Sequence, residues 1–278
     1  MTVSSERITS RQNRLVVETW KLRDKKERMA GRRFRLDGIK LFCEAVEKGV
    51  EILYVLIAES KAERILPLLE KCREQQAVQN TKAYILADDV FGKISEEQAP
   101  EGIVAVASFP PFHLTENGGA ESLCTIAQDG KSILLLESVR DPGNVGTILR
   151  SAAAFGVDCV VMSKDCADIY NAKTVRGAMG ALFRMRILLV DRVDDAVLLL
   201  RKNGRRVFAA ALDPEAKKLT SSALSRGDCV VIGNEGHGLS HETIVACDGS
   251  LYIPMEPGSE SLNAAIAASV ILWGMYSD

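Results

Sequence analysis

The apolar and polar positions along this chain change their rhythm near residue 110. Before it, residues 10–30 carry a helical pattern opening at Ser10 and ending near Gly31. A strand at 33–36, a helix at 39–48, an apolar strand at 52–57 and a helix at 61–74 follow, then strands at 83–86 and 102–108. Phe109 to Phe112 holds two prolines, which remove donors and stop regular structure. After a Gly/Asn run at 115–119, short apolar strands alternate with helices to the end of the chain. The strands fall at 133–137, 159–162, 186–190, 207–211, 229–233 and 251–253; the helices at 144–155, 171–181, 193–203, 240–246 and 261–276. That alternation predicts a parallel sheet covered on both faces, whose ligands bind beyond the carboxyl ends of the strands. The expected organisation is a domain over 1–115, a linker over 116–128 and a second domain over 129–278.

The final helix departs from the usual one-sided pattern. No charge occurs from Leu262 to Tyr276, so it lacks the polar face of a surface helix. It falls short of the roughly 20 residues a membrane span needs, which leaves burial, most simply against a second subunit.

Charge is uneven. The first 40 residues hold twelve Lys/Arg against five Asp/Glu, a local +7 in a chain of net charge −2. Such an excess suits a phosphate backbone; Arg11, Arg14, Lys25, Lys26, Arg32 and Arg33 are the candidate contacts. A solvated basic helix is the bland alternative. The seven cysteines form no CxxC pair and sit mostly in apolar runs, the pattern of reduced thiols. With no apolar leader after Met1, a cytoplasmic protein is expected. His237 and His241 have metal-ligand spacing but no third ligand near them in sequence, so no metal is expected.

Three strand-end loops carry the candidate chemistry. In the first, Asp141, Pro142 and Gly143 make a turn and Asn144 is a good N-cap; Arg150 shares one third of the helix surface with Asn144. In the second, three glycines within 233–238 let a backbone pass close to a ligand, around Glu235. It matches neither the dinucleotide nor the phosphate-loop fingerprint, which argues against a nucleotide-dependent oxidoreductase. In the third, a proline-rich turn from Ile253 leads to Ser261, a second expected cap, and to Asn263, a poor helix former inside the first turn.

In order and context these loops resemble the three motifs of the SpoU-type (TrmH) RNA ribose 2′-O-methyltransferases: Asn144 through Arg150, the run GNEGHGL at 233–239, and Ile253 through Asn263. Residues 175–183 and, in the first half, 8–14, 22–26, 34–40 and 102–105 are similar to family segments too, the latter to its substrate-binding domain. The resemblance implies an S-adenosylmethionine-dependent enzyme, working as a homodimer, with a deep trefoil knot in a C-terminal parallel α/β sheet and a smaller N-terminal α/β RNA-binding domain. It places Gly233, Ile253 and Leu262 at the cofactor and Asn144, Arg150, Glu235, Ser261 and Asn263 at the reaction site. Ribosomal RNA is the expected substrate ahead of transfer RNA. A catalytically inactive RNA-binding homologue is the alternative.

Overall fold

The computed structural model describes residues 1–96, 99–111, 113–114, 119–128, 130–220, 223–256, 258 and 261–276. The chain divides into two units: Met1–Pro110 with Tyr170–Arg184, and Pro111–Ile169 with Met185–Asp278.

In the first unit the elements run β1 (Thr2–Ile8), α1 (Arg14–Lys21), α2 (Lys25–Gly31), β2 (Arg33–Asp37), α3 (Ile39–Glu47), β3 (Ile52–Ala58), α4 (Ala62–Lys71), β4 (Lys82–Leu86), α5 (Asp88–Ile94) and β5 (Ile103–Ser108). The strands form one mixed sheet in the order β1-β4-β3-β5-β2, with β5 antiparallel to both neighbours. The single helix expected over 10–30 is two. Leu22 is buried, and Asp24 restarts the helix by accepting from the Lys26 N–H at 2.9 Å, the standard use of an N-cap. The Arg28 guanidinium is buried in the corner between them, donating to the carbonyls of Leu22 and Arg23 at 2.7 Å each.

The second unit contains β6 (His113–Leu114), α6 (Gly119–Gln128), β7 (Ile133–Leu136), α7 (Pro142–Ala154), β8 (Cys159–Ser163), β9 (Arg186–Val190), α9 (Val193–Lys202), β10 (Val207–Ala210), β11 (Lys217–Lys218), β12 (Cys229–Ile232), α10 (His241–Ala246), β13 (Gly249–Tyr252) and α11 (Ala264–Tyr276), while α8 (Ala172–Ala178) belongs to the first unit. Its eight strands lie in the order β11-β13-β10-β12-β7-β8-β9-β6, and every pairing is parallel. β7, β8 and β12 are buried at every residue, as strands covered on both faces must be. Residues of α6, α9 and α10 pack with Leu135, Val161 and Val231 in one core cluster.

Two boundaries differ from the sequence reading. Residues 119–128, expected within a linker, are helix: Leu123, Ile126 and Ala127 recur at helical spacing and are buried in the sheet's core. The Gly/Asn run that suggested a linker falls mainly at 115–118, outside the described residues. The segment 170–184, expected within the second domain, groups with the first. Its aromatic residues explain this, since Tyr170 stacks on Phe109 with centroids 3.7 Å apart and both Tyr170 and Phe183 lie against Phe34.

Candidate active site

The carboxyl ends of β13, β10, β12 and β7 are neighbours in the sheet, so the loops that leave them gather at one edge. The three loops singled out in the sequence leave β7, β12 and β13.

The loop after β12 is held by its own backbone. Asn234 and Gly238 exchange two main-chain hydrogen bonds, of 3.0 and 2.9 Å. The Asn234 side-chain oxygen accepts from the N–H groups of Gly236 (2.8 Å) and His237 (3.1 Å), and its amide donates to the Ser138 carbonyl at 2.8 Å. Gly233 permits this closure: a β-carbon there would stand 2.5 Å from the Gly238 carbonyl carbon and 2.7 Å from the Leu239 nitrogen. Ser138 is itself unusual, with a φ of +56° in a non-glycine residue, a conformation that costs of order 1 kcal/mol or more unless the surroundings impose it. They do. Its N–H donates to the Ser163 hydroxyl at 2.8 Å, and its own hydroxyl donates to Asp165. Burial alone would raise the Asp165 pKa; hydrogen bonds from Ser138, Ser163 and Arg140 outweigh it and hold the carboxyl below its ordinary value. Glu137 accepts from the Ser240 N–H and from the hydroxyls of Ser240 and Thr243, joining β7 to the start of α10.

The other two loops meet the glycine loop through side chains. Helix α7 begins two residues earlier than expected: Asp141, not Asn144, is its N-cap, accepting from the Asn144 N–H at 2.9 Å, with Pro142 in the first turn. This frees the Asn144 side chain, whose amide donates to Glu235 while its oxygen accepts from the Asn263 amide at 3.0 Å. Asn263 is likewise not inside a helix; its oxygen caps α11 by accepting from Ala265 (2.9 Å) and Ile266 (3.3 Å). Ser261, expected to cap, lies ahead of the helix on the wall of a cavity. A polar chain thus runs from Asn263 through Asn144 to Glu235.

That cavity, of about 370 Å³, is bounded by the predicted Gly233, Ile253, Leu262, Glu235 and Ser261. Residues missed in the sequence also line it: Ala210 to Leu212 at the end of β10, Asn234 and Met255. Asn234 was detectable as an Asx-turn former among glycines; the alanines after β10 carry no such mark. Arg150 is exposed on α7, with no hydrogen bond or ion pair among the described residues. Among these no group of three or more His, Cys, Asp or Glu could hold a metal ion, and no helix is long and apolar enough to cross a membrane.

The six basic candidates of the first unit divide in two. Arg11 pairs with Asp89, and Arg14 and Arg33 both pair with Glu18. Lys25, Lys26 and Arg32 have no carboxylate partner among the described residues; Arg32 lies over the Phe109 ring at 5.7 Å.

The sheet is parallel, and its cavity lies on a glycine loop that asparagine side chains join to two further loops. The chain belongs to the SpoU rRNA Methylase family, which matches residues 131–273. The MRM3-like substrate binding domain matches residues 13–105. The chain is 31% identical over 271 residues to the 23S rRNA (guanosine(2553)-2'-O)-methyltransferase RlmP of Bacillus subtilis, covering 96% of this chain and 98% of that protein. It is similar in structure to the AdoMet-bound rRNA methyltransferase of Sinorhizobium meliloti, with 25% identity and a TM-score of 0.78 over 98% of this chain and 97% of that one. The SpoU methyltransferase AviRb of Streptomyces viridochromogenes, solved with the cofactor AdoMet, aligns at 26% identity and a TM-score of 0.74 over 95% and 97%.

Proposed function

We propose that this chain transfers a methyl group from S-adenosylmethionine to a ribose 2′-hydroxyl of ribosomal RNA. The observation that carries the reading is the hydrogen-bonded chain Asn263–Asn144–Glu235, which joins all three loops and ends on Glu235 in the cavity wall.

The cavity fits the cofactor. Its volume lies in the range of small-molecule sites, and apolar side chains surround a few polar groups. Gly233, Ile253 and Leu262 would hold it, Gly233 by letting the loop close on Gly238 and Leu239 so that its backbone forms part of the wall. When bound, S-adenosylmethionine supplies an electrophilic methyl on a sulfonium. The protein's own work is to position the ribose and manage its proton. Glu235, with one oxygen engaged by Asn144, offers the other to the 2′-hydroxyl and receives its proton. Arg150 neutralises charge developing on the ribose oxygen and grips the adjacent phosphate with its forked donors. Ser261 and Asn263 fix the edge of the ribose site.

The first unit binds the RNA, through the cations that have no internal partner. The second works as a homodimer and carries the trefoil knot of its family. In support of dimerisation, Ile266, Val270, Trp273 and Tyr276 leave an exposed apolar face on α11. In support of the knot, β12 lies between β10 and β7, and the Ser269 hydroxyl of α11 bonds the Ser151 hydroxyl of α7 at 2.8 Å across 118 residues. The enzyme acts in the cytoplasm. All seven cysteines are free, and burial pushes the thiols of Cys159 and Cys247 up to about 12 and that of Cys229 to about 11, so these serve as packing groups.

The test uses the full chain with methyl-labelled S-adenosylmethionine and ribosomal RNA, mapping ribose methylation by resistance to alkaline cleavage. One protected position that disappears in Glu235→Ala is expected. Cofactor binding without label in RNA would leave the inactive homologue, and no cofactor binding would overturn the reading.

A further inference from the structure

The corner between α1 and α2 has features that methyl transfer does not use. Trp20 is 43% exposed at the end of α1. In the first unit it and Met29 are the two large apolar side chains left exposed among the described residues, and both lie on these two helices. Trp20 is nonetheless held. The Arg23 guanidinium lies 5.8 Å from its ring centroid, and Arg23 is itself fixed by the carbonyls of Ser95 (3.1 Å) and Lys93 (3.4 Å) and by Glu96 at 3.2 Å. Beneath them, Arg28 clamps the carbonyls of Leu22 and Arg23, so the turn that carries the ring is braced from inside.

The charges sort around this ring. Most arginines of the first 40 residues are spent on internal carboxylates: Arg7 on Glu59, Arg11 on Asp89, Arg14 and Arg33 on Glu18, and Arg35 on Asp37. Lys21, Lys25 and Lys26, which flank Trp20 and Arg23 in the chain, are exposed and have no partner among the described residues. Asp24 lies between Lys21 and Lys25 and is committed to capping α2, and Glu27 follows Lys26. The corner therefore presents an exposed indole backed by Arg23, on a stretch of chain that also carries uncommitted ammonium groups. A nucleic-acid duplex offers such a surface only phosphates, because its bases are already stacked. An unpaired nucleotide offers a phosphate and an open base face together, and sequence-specific RNA recognition works on such unstacked bases.

We propose that Trp20 is the stacking platform for one unpaired nucleobase of the RNA substrate, with Lys21, Lys25 and Lys26 holding the flanking phosphates. This rests on the reading of the first unit as the RNA-binding part. Arg23 backs the ring and keeps it in place as the base arrives. Stacking of this kind tolerates any base, so the corner selects single-stranded character rather than sequence.

The test measures binding of the full chain to a ten-nucleotide single-stranded RNA and to the corresponding RNA duplex, for the unmutated protein, Trp20→Ala, Trp20→Phe and the double variant Lys25→Ala/Lys26→Ala. Trp20→Ala is expected to lose about 5- to 100-fold in single-strand affinity and less than about 2-fold for the duplex. Trp20→Phe is expected to retain most of the single-strand affinity. The double lysine variant weakens both ligands and flattens the salt dependence, because fewer counterions are released. Tryptophan fluorescence is expected to be quenched by the single strand and to lose that quench in Trp20→Ala. The proposal falls if Trp20→Ala binds the single strand as the unmutated protein does, if it loses single strand and duplex equally, or if the unmutated chain binds neither. Ribose methylation by the unmutated chain is measured alongside: its failure would strike the enzymatic reading, whereas a Trp20→Ala variant that still binds single strands normally strikes the stacking assignment alone.

Discussion

Replacing Gly233 by alanine is the sharpest test of how the cavity is built. The added methyl would stand 2.5, 2.6 and 2.7 Å from the Gly238 carbonyl carbon, its oxygen and the Leu239 nitrogen. Non-bonded carbon atoms settle at about 3.5–4.0 Å, so the two strands of the loop must part by roughly 1 Å. Every obstructing atom is backbone, and no rotamer can relieve the clash. The hydrogen bonds between Asn234 and Gly238, at 3.0 and 2.9 Å, would then lengthen to about 4 Å, beyond useful range. Two such bonds contribute about 1 kcal/mol each, and forcing a methyl into a filled site adds about 1–3 kcal/mol. The expected loss is about 3–5 kcal/mol in the second unit, with at least a tenfold fall in S-adenosylmethionine affinity, because the displaced backbone is the cavity wall. Gly249→Ala in β13 is the control: its β-carbon meets nothing within 4 Å, and its effect is expected within about 0.5 kcal/mol. Urea unfolding and cofactor calorimetry measure both variants. Equal midpoints and equal affinities for the two would refute this account of the loop.

Further predictions follow from the same geometry. Asn144→Asp keeps the acceptor used by Asn263 but sets a carboxylate against Glu235; turnover is expected to fall about 10- to 100-fold while calorimetry finds cofactor affinity within twofold. The depressed Asp165 pKa stabilises the fold above the ordinary aspartate range, and that contribution is lost as pH falls through the folded value. Unfolding free energy below about pH 4 is therefore expected to decline more steeply in the unmutated protein than in Asp165→Asn. If α11 packs against a second copy, Ile266→Asp with Trp273→Asp is expected to sediment as a folded monomer; a dimer that survives both changes would place the interface elsewhere.

The sequence made the loops visible because glycine, proline and asparagine at strand ends have few structural uses. It did not assign their caps. Asp141 and Asn144, or Ser261 and Asn263, are equally able acceptors by residue type, and the choice depends on which oxygen faces the free N–H groups once Pro142 or Ala264 enters the helix. The consequence is functional: because Asp141 takes the capping duty, Asn144 is released to link Asn263 with Glu235. Helix α6 was hidden by the Gly/Asn run beside it. The two-residue strands β6 and β11 are too short to show any periodicity. The placement of 170–184 rests on aromatic contacts with Phe34 and Phe109, which are distant in sequence.

The position of β12 has a consequence for how the molecule becomes active. Its two neighbours, β7 and β10, are both synthesised earlier, so the strand bearing the glycine loop must find a slot already flanked on either side. Such non-local pairing is slow. Cofactor binding is therefore expected to be lost whenever β12 fails to pair, because the chain runs from β12 through Gly233 and Asn234 directly into the cavity wall.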